Sequence, residues 1–231
     1  MNTNLESLLI GAVGPLGAKA TPSGIDKRPV AVPVRLRRDG FEGDAQGDRK
    51  NHGGPLKAVH HYAYQHYAAW RPEIGDVPVL RQPGAFGENL STVGMDETTV
   101  ALGDVFRLGD AVIEVSQGRQ PCWRLNLRFG VGDMALRVQR SGRTGWYYRV
   151  VEEGIVHPHD SLDLIDRRSP DWTLHRLWRL LYVDTLDHDE LRAVIALPHL
   201  PDRWRQLAER RLATRAVEGW SARLTQKIAG D

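Results

Sequence analysis

The chain has 231 residues, of which 41% are apolar and 26% are charged, and its formal net charge is +2. This composition is typical of a globular protein with one or two domains, and the near balance of charge argues against nonspecific binding to nucleic acid. The single cysteine excludes an internal disulfide, a four-cysteine zinc site and a cysteine-ligated iron–sulfur cluster.

The amino-terminal stretch lacks the basic region of a signal peptide, and no apolar run approaches the roughly 20 residues of a membrane helix, so we expect a cytoplasmic protein without a membrane partner.

The first 165 residues predict a closed or strongly curved β-sheet. Farther along, short β-branched runs alternate with Gly-Asp pairs, which is the spacing of short strands between turns. Two helices are expected, one from residue 63 to just beyond 70 and one over 129–141. The predicted strands cover residues 29–34, 100–102, 105–108, 111–115, 145–151 and 161–165.

The sequence changes character near Arg167, where a helical pattern replaces the strand pattern. A proline-containing start at 169–171, a capping box formed by Asp187 and Glu190, and a second proline-containing start at 201–202 each mark the beginning of a helix. The fold is therefore predicted to be mainly β with α, with a small three-helix unit after a β domain.

The predicted domain boundary divides the chain into residues 1–166 and 167–231. In the second part, apolar residues at helical spacing are expected to form the core, and arginines are expected on the solvent face. The arginines expected at this surface include Arg179, Arg205 and Arg211.

A glycine-rich segment over 43–62 gathers basic residues and histidines. Gly53 and Gly54 let backbone N–H groups approach a ligand closely, because no side chain intervenes. Lysine and arginine bind phosphate through charge-assisted hydrogen bonds. The segment therefore suits an anionic ligand, and a turn with satisfied polar residues is the alternative. Its basic residues are Arg49, Lys50 and Lys57.

The histidines of this segment do not predict a zinc site. His60 and His61 are adjacent, so on a strand they face opposite sides. His52 with either of them lacks a third ligand at a recognised spacing. The chain also has no GxxxxGK[ST] motif and no GxGxxG motif after a strand, so neither a nucleoside triphosphate site nor a Rossmann site is predicted.

The segment EVSQGRQPCWRLN, residues 114–126, holds the only cysteine, Cys122. Its neighbours Arg119 and Arg124 are three and two residues away along the chain. Either cation favours the thiolate, which is the reactive form of cysteine. A buried and chemically inert thiol is the alternative, because cysteine also packs as a small hydrophobe.

Five segments in order resemble the MOSC domain family, the C-terminal domain type of eukaryotic molybdenum cofactor sulfurases. The appended helices resemble the three-helix extension of the family's YiiM-like branch. This resemblance covers nearly the whole chain, and it implies a twisted β-barrel-like fold that binds the molybdenum cofactor, molybdopterin. The segments are SGIDKRPV (23–30), EGDAQGDRKNHGGPLKAVHHY (42–62), GAFGENLST (84–92), ALGDVFRLG (101–109) and EVSQGRQPCWRLN (114–126).

The resemblance also implies an oxidoreductase that reduces N-hydroxylated compounds, such as hydroxylaminopurines, at molybdenum ligated by Cys122. The reduction consumes protons, and His52 and His60 are the further catalytic candidates because histidine titrates near neutrality; a structural role for each is the alternative. The chain has no flavin or iron–sulfur motif, so the expected electron donor is a flavoprotein reductase. The expected cofactor-binding residues are Arg49, Lys50, Gly53, Gly54, Lys57, Asn89 and Arg119.

Two other functions stay open at this point. In the first, Cys122 carries a persulfide, and the chain is a sulfur carrier for the maturation of a metal–sulfur cofactor. In the second, the helical unit binds nucleic acid, although its basic excess is too small to favour this. We expect instead that the helices cover a barrel edge, support a homodimer contact or close the cofactor cleft, and that the chemistry lies before Ser169.

Overall fold

Strands dominate the first part of the chain and helices the last part in the computed structural model, which describes residues 1–48 and 53–225. Short 3-10 turns cover Pro55–Lys57 and Pro78–Arg81. The helices are α1 (Gln65–Ile74), α2 (Arg124–Phe129), α3 (Met134–Ser141), α4 (Leu174–Tyr182), α5 (His188–Ile195), α6 (Asp202–Thr214) and α7 (Ser221–Leu224). The strands are β1 (Asn2–Ile10), β2 (Gly14–Leu16), β3 (Thr21–Ser23), β4 (Arg28–Pro29), β5 (Val34–Arg37), β6 (Gly40–Phe41), β7 (Val59–Ala63), β8 (Leu90–Thr92), β9 (Asp104–Leu108), β10 (Ala111–Gly118), β11 (Trp146–Glu152), β12 (Gly154–Val156) and β13 (Ser161–Arg167).

Seven strands of the described chain close into a barrel, which confirms the predicted fold class. Around the barrel they follow the order β13, β9, β10, β11, β7, β8 and β1, and β1 returns to β13 through pairs such as Asn2 with Asp163. Neighbouring strands are antiparallel except β7 and β8, which run parallel. A parallel pair needs a long crossover connection, and here that connection carries α1 and the loop 84–89.

Strand β1 is absent from the sequence prediction, although it pairs with three other strands. Its pairing with β8 shifts register between Leu5 and Ser7, which marks a bulge or similar irregularity. A bulge breaks the alternation of apolar and polar residues on which strand prediction depends. As a result the buried residues Leu5, Leu8 and Leu9 do not follow a period of two.

Two predicted strands are corrected by the structure. The run over 29–34 contributes only to the ends of β4 and β5, because the prolines Pro29 and Pro33 have no N–H to donate to a neighbouring strand. The run over 100–102 forms no strand, and its sheet-like contact is an isolated bridge between Ala101 and Thr173. The remaining predicted strands lie within or overlap β9, β10, β11 and β13.

The helix predictions hold in position more than in length. The helix expected from residue 63 begins at Gln65, because Ala63 is the end of β7. The helix expected over 129–141 corresponds to α3, which begins only at Met134. Phe129 is instead the last residue of α2, which is capped at Gly130 in the left-handed conformation, φ 66°. Glycine reaches this conformation at little cost, which makes it a common helix terminator.

Two hydrophobic clusters support the elements around the barrel. One fills the barrel with residues such as Phe106 and Ile113 and continues into α4, α5 and α6 through Leu177, Leu191 and Trp204. Because this cluster crosses residue 167, the helices pack on the barrel as part of the same apolar core, and the division into 1–166 and 167–231 stays a prediction. The second cluster packs α1, α2, α3 and α7 together and includes Tyr62, Trp70, Phe86, Leu125 and Leu224.

The sequence predicted three helix starts in the helical unit, and the structure corrects one of them. α4 starts at Leu174, where the Thr173 hydroxyl accepts a hydrogen bond from the Arg176 amide, whereas 169–171 forms a turn. α5 is capped by Asp187 as predicted, and α6 starts at Asp202. No helix among the described residues is long and apolar enough to cross a membrane.

Arg211 corrects the expectation of a solvent-exposed arginine face. Its side chain is fully buried, and it donates hydrogen bonds to the carbonyl groups of Leu180, Leu181 and Thr185 just after or within the last turn of α4. It also pairs with Glu218 at 2.7 Å. Cations stabilise helix carboxyl ends by satisfying carbonyl groups that have no partner within the helix. Arg211 is therefore a structural residue.

Candidate functional site

The residues of four motif segments meet in one cleft beside the barrel, which we call the inner cleft. The space inside it, its open mouth included, is about 590 Å³. The segments are far apart in the sequence and are brought together by barrel closure. Its lining residues are Ser23, Gly24, Ile25, Lys27, Gln46, Gly47, Asp48, Lys57, His60, Phe86, Gly87, Asn89, Arg119, Cys122, Arg124 and Tyr147.

The loop 84–89 forms one wall of the inner cleft and is held by a buried carboxylate. Glu88 accepts hydrogen bonds from the backbone N–H of Gly84 at 2.7 Å and of Phe86 at 3.0 Å, and from the Tyr67 hydroxyl. Burial raises the pKa of Glu88 above its usual value, while these donors oppose the rise. Gly87 has φ 75°, and a Cβ there would lie 2.8 Å from the Ile25 side chain. The loop therefore requires glycine at this position and a buried acceptor behind it.

Arg119 extends from the end of β10 into the inner cleft and is only 7% exposed. Its backbone N–H donates to the Gly145 carbonyl at 2.9 Å, and its Nη2 donates to the Phe86 carbonyl at 3.2 Å. Gly145 in turn donates to the buried carboxylate of Glu97 at 2.6 Å. The second guanidinium nitrogen, Nη1, is buried and has no hydrogen-bond partner within the described part of the chain. These contacts hold Arg119 in place beside the inner cleft.

The two adjacent histidines face different environments, as strand alternation predicts. His61 points into the barrel, where Nδ1 lies 2.9 Å from the Tyr148 hydroxyl and Nε2 lies 2.8 Å from the Thr92 hydroxyl. Burial lowers the pKa of His61 to about 3. His60 lines the inner cleft, and burial, followed by the charge of Arg119, lowers its pKa well below the usual value. Its Nε2 is buried without a partner among residues 1–48 and 53–225.

A buried ion pair reaches the lining of the inner cleft through Lys27, and sequence reasoning gave the pair no role. Lys27 and Asp44 pair directly, with side chains 6% and 2% exposed. Asp44 also accepts hydrogen bonds from the Gly11 backbone at 2.9 Å and from the Asn89 amide at 3.0 Å. Burial lowers the pKa of Lys27, and Asp44 opposes the shift. The motif SGIDKRPV contains Lys27, but only the tertiary fold shows its partner.

Asn89 was predicted to bind the cofactor, and it lines the cleft with its amide already engaged. Its amide nitrogen donates to the Leu9 carbonyl at 3.1 Å and to Asp44, and its amide oxygen accepts from the His60 N–H at 3.0 Å. The side chain therefore ties β1, β7 and the Lys27 pair together. The cofactor-binding role stays a prediction, and what the geometry shows is a positioning role.

Cys122 lies just before α2, half-buried, where its carbonyl accepts a hydrogen bond from the Leu125 N–H at 3.0 Å. Its sulfur interacts electrostatically with Lys57 and Tyr147. Burial and the charge of Arg203 lower the pKa of Lys57, whereas Cys122 and Asp48 act to raise it. Cationic neighbours favour the thiolate form of cysteine. The thiol is therefore in a setting that suits a metal ligand or a nucleophile.

A second cleft opens from the same cysteine, and we call it the outer cleft. It shares Cys122, Lys57, Arg124, Tyr147 and Asp48 with the inner cleft and holds about 1650 Å³ including its open mouth. Its far wall comes from the helical unit, which the sequence placed away from the chemistry. The residues contributed by that unit are Pro201, Asp202, Arg203, Trp204, Ala222 and Arg223.

Most of the predicted site residues within the described chain come together. Gly53 and Gly54 line the outer cleft, and a group of three metal-ligating side chains is absent from residues 1–48 and 53–225. Arg49, Lys50 and His52 lie outside the described residues. Those that line the inner cleft are Lys57, His60, Asn89, Arg119 and Cys122.

Comparisons with known proteins match both parts of the chain. A sequence model of the MOSC domain matches residues 48–163, and one of the YiiM-like, 3-alpha helix domain matches residues 172–215. The uncharacterized protein YflK of Bacillus subtilis is 43% identical over 187 residues, which cover 81% of this chain and 83% of that protein. A protein named Reductase from Gibberella moniliformis is 36% identical over 200 residues, which cover 86% of this chain but 35% of that protein.

A solved structure matches the whole architecture. The crystal structure of YiiM from Escherichia coli superposes with a TM-score of 0.78 at 31% identity, covering 97% of this chain and 99% of that one. The match therefore spans both the barrel and the helical unit.

Proposed function

The chain belongs to the MOSC domain family, and from this premise we propose that it is an oxidoreductase that binds the molybdenum cofactor in the inner cleft. In this proposal Cys122 ligates molybdenum, and the substrates are N-hydroxylated compounds of the hydroxylaminopurine type. The relative named Reductase supports an enzyme of the reductase class. The electron donor is proposed to be a flavoprotein reductase.

The observation that carries the proposal is a pair of buried nitrogen atoms beside the single thiol that have no hydrogen-bond partner among residues 1–48 and 53–225. His60 Nε2 and Arg119 Nη1 lie in the lining of the cleft into which Cys122 opens. Leaving a buried polar atom without a hydrogen bond costs about 1–3 kcal/mol, so a cleft with two such atoms is built for a polar ligand. The pterin of the molybdenum cofactor is rich in hydrogen-bonding groups, so His60 and Arg119 are suitable residues to bind it.

Four residues of the inner cleft have proposed roles that their positions support. The Cys122 thiolate would hold the metal, with Lys57 nearby to favour the anionic form. Arg119 and His60 would hydrogen-bond the pterin through their unused nitrogen atoms. Lys57, with Arg49 and Lys50 as predicted, would hold the phosphate. When bound, the cofactor supplies the two-electron redox chemistry that removes oxygen from the N–OH group.

The electrostatics of the cleft determine the protonation state of His60, a candidate for proton supply. The reduction of R–NHOH to R–NH2 and water consumes two electrons and two protons. Because burial lowers the pKa of His60, its ring is neutral near pH 7 and serves as a hydrogen-bonding group toward the cofactor. Proton delivery by His60 or His52 stays a prediction. The outer cleft is the route by which substrate and water would reach Cys122, since it opens from the same thiol.

The decisive experiment is analysis of protein purified from a host that makes the cofactor. We expect molybdenum and pterin at about one per chain and turnover of a hydroxylaminopurine with an added flavoprotein donor. Cys122→Ser is expected to lose molybdenum and activity while keeping the melting temperature, because the half-buried thiol supports little of the core. Sulfane sulfur on Cys122 without molybdenum would instead support the sulfur-carrier alternative. Full activity of the serine variant with cofactor bound would refute the ligand assignment.

A further inference from the structure

We propose that residues 218–225, which we call the C-terminal segment, hold the cysteine loop in place, and that Arg223 is the positioning residue for Cys122. The segment follows α6 within the helical unit, and it returns to the loop that carries the thiol. Residues 218–225 would then support the cysteine loop in addition to the barrel strands. The inference rests on the proposed function only for the chemical role of Cys122.

Arg223 forms hydrogen bonds to the cysteine loop on both sides of Cys122. Its backbone carbonyl accepts a hydrogen bond from the Trp123 N–H at 2.8 Å, and its guanidinium donates to the Pro121 carbonyl. A second guanidinium nitrogen donates to the Gln139 side chain on α3. The residues immediately before and after Cys122 are therefore both bonded to one residue about a hundred positions later in the chain.

The C-terminal segment is fixed at a second point of the same loop. The Asn126 side chain donates to the Leu224 carbonyl at 3.0 Å, and Leu224 is buried in the cluster beneath α2 and α3. The Arg223 N–H donates to the Trp220 carbonyl at 3.0 Å, which closes the turn that begins α7. Buried apolar contact and backbone bonds together prevent this short helix from fraying.

The other end of the segment is anchored in the helical unit. Glu218 accepts from Arg211 through two bonds of 2.7 and 3.0 Å and from the Trp220 ring N–H at 3.0 Å. Arg211 is itself buried and bonded to the carbonyl groups after α4. A continuous series of hydrogen bonds thus runs from the end of α4 through Glu218 and Arg223 to the two neighbours of Cys122. The helical unit supports the thiol through this series.

The test uses cofactor-free full-length protein, so that its result does not depend on the proposed reaction. The rate of Cys122 alkylation by iodoacetamide is measured by mass spectrometry for the wild type, Arg223→Ala and Arg223→Lys. Loss of a charge-assisted hydrogen bond raises local opening, so we expect about tenfold faster alkylation in Arg223→Ala. Arg223→Lys keeps one donor for Pro121 and is expected to fall between the other two.

The matched control is Arg179→Ala, which removes an exposed arginine of the same unit that pairs with Asp184 and touches neither cleft. Its alkylation rate is expected to equal that of the wild type. Equal rates in Arg223→Ala and the wild type, at equal unfolding midpoints, would overturn the proposal. That result would not bear on the proposed function, which is tested separately by the molybdenum content of protein purified from a host that makes the cofactor.

A measurement on the wild type keeps the inference testable if Arg223→Ala does not fold. The Trp123 amide donates to Arg223 in the proposed arrangement, so its hydrogen exchange is expected to be at least tenfold slower than that of the exposed amide of Gly132. Exchange of Trp123 as fast as that of Gly132 would mean that the segment does not hold the loop.

Discussion

The inner and outer clefts share Cys122 but are built in different ways. The inner cleft is formed by barrel strands and their connections, and its lining includes one member of a buried ion pair, Lys27 with Asp44. The outer cleft is completed by helices and the C-terminal segment, and its charges include exposed ones such as Arg203. A fixed, buried lining suits a ligand that stays bound, whereas an open, charged lining suits one that exchanges. In the proposed function, the thiol therefore lies between the cleft for the bound cofactor and the cleft for the exchanging substrate.

The largest expected effect comes from breaking the ion pair beneath the inner cleft. Lys27→Met leaves the Asp44 carboxylate buried without its counter-charge, and breaking a buried pair costs about 3–5 kcal/mol. We expect a loss near the lower end of that range in the free energy of unfolding, measured with urea. Arg28→Met is the matched control, since its pair with Asp26 is exposed and is worth about 0–1 kcal/mol. Equal losses in the two variants would contradict the difference drawn between buried and exposed charges.

The next effect tests how tightly the inner cleft is packed. Gly145 has φ 73°, and a Cβ there would lie 2.5 Å from the His61 carbonyl and 3.0 Å from His60 Nε2. Gly145→Ala is therefore expected to cost about 2–4 kcal/mol, from left-handed strain and overpacking together. Gly130→Ala has φ 66° but no atom within 4 Å of its Cβ, so it isolates the strain, about 1–2 kcal/mol. Thermal unfolding of both variants measures the difference, which should vanish only if the His61 carbonyl and the His60 ring both move aside without cost.

A smaller effect concerns the pH dependence of the link behind the outer cleft. Burial acts to raise the pKa of Glu218, but hydrogen bonds from Arg211 and Trp220 outweigh it and leave the pKa below its usual value. A carboxyl with a depressed folded pKa stabilises the protein above its unfolded pKa and loses that contribution as the pH falls through the folded value. The stability difference between wild type and Glu218→Gln should therefore shrink as the pH falls from 5 toward 3. A difference that stays constant in urea titrations over this range would exclude the ionised pair.

The smallest effect is expected at the exposed wall of the outer cleft. Burial is the largest cause of the lowered pKa of Lys57, and the charge of Arg203 is the next. Arg203→Gln should raise the pKa of Lys57, observed by NMR of the dimethylated lysine, and change stability by less than about 0.5 kcal/mol. Arg210→Gln, two turns along the same helix and outside both clefts, should leave that pKa unchanged. A similar rise in both variants would point to the net charge of the protein instead.

The sequence predicted most of what depends on local pattern. Strand and turn spacing indicated a closed sheet, and the Asp187 cap of α5 and the proline-containing start of α6 marked true helix starts. The cysteine, Arg119 and the glycine-rich segment were recognisable because each is conspicuous within a short stretch. The barrel closure, by contrast, depends on β1, whose irregular alternation hid it.

What the sequence did not predict depends on distant partners. Lys27 and Asp44 look like ordinary surface charges until the fold buries them together. Arg211 resembles the other arginines of its helix, and only the packing of α4 shows that it caps carbonyl groups. The link from Arg223 to the cysteine loop joins residues whose separation gives no periodic signal.

The pairing of β1 with β13 has a consequence for the order in which the molecule is made. The first strand finds one of its barrel partners only when residues 161–163 are available, because Thr3 pairs with Leu162 and Asn4 with Ser161. Contacts between such distant positions carry a high cost in chain entropy and slow folding. During synthesis one edge of β1 therefore stays unpaired until residues 161–163 have left the ribosome. Before that moment the barrel beside the inner cleft is not closed, so a ligand of this cleft has no finished binding site.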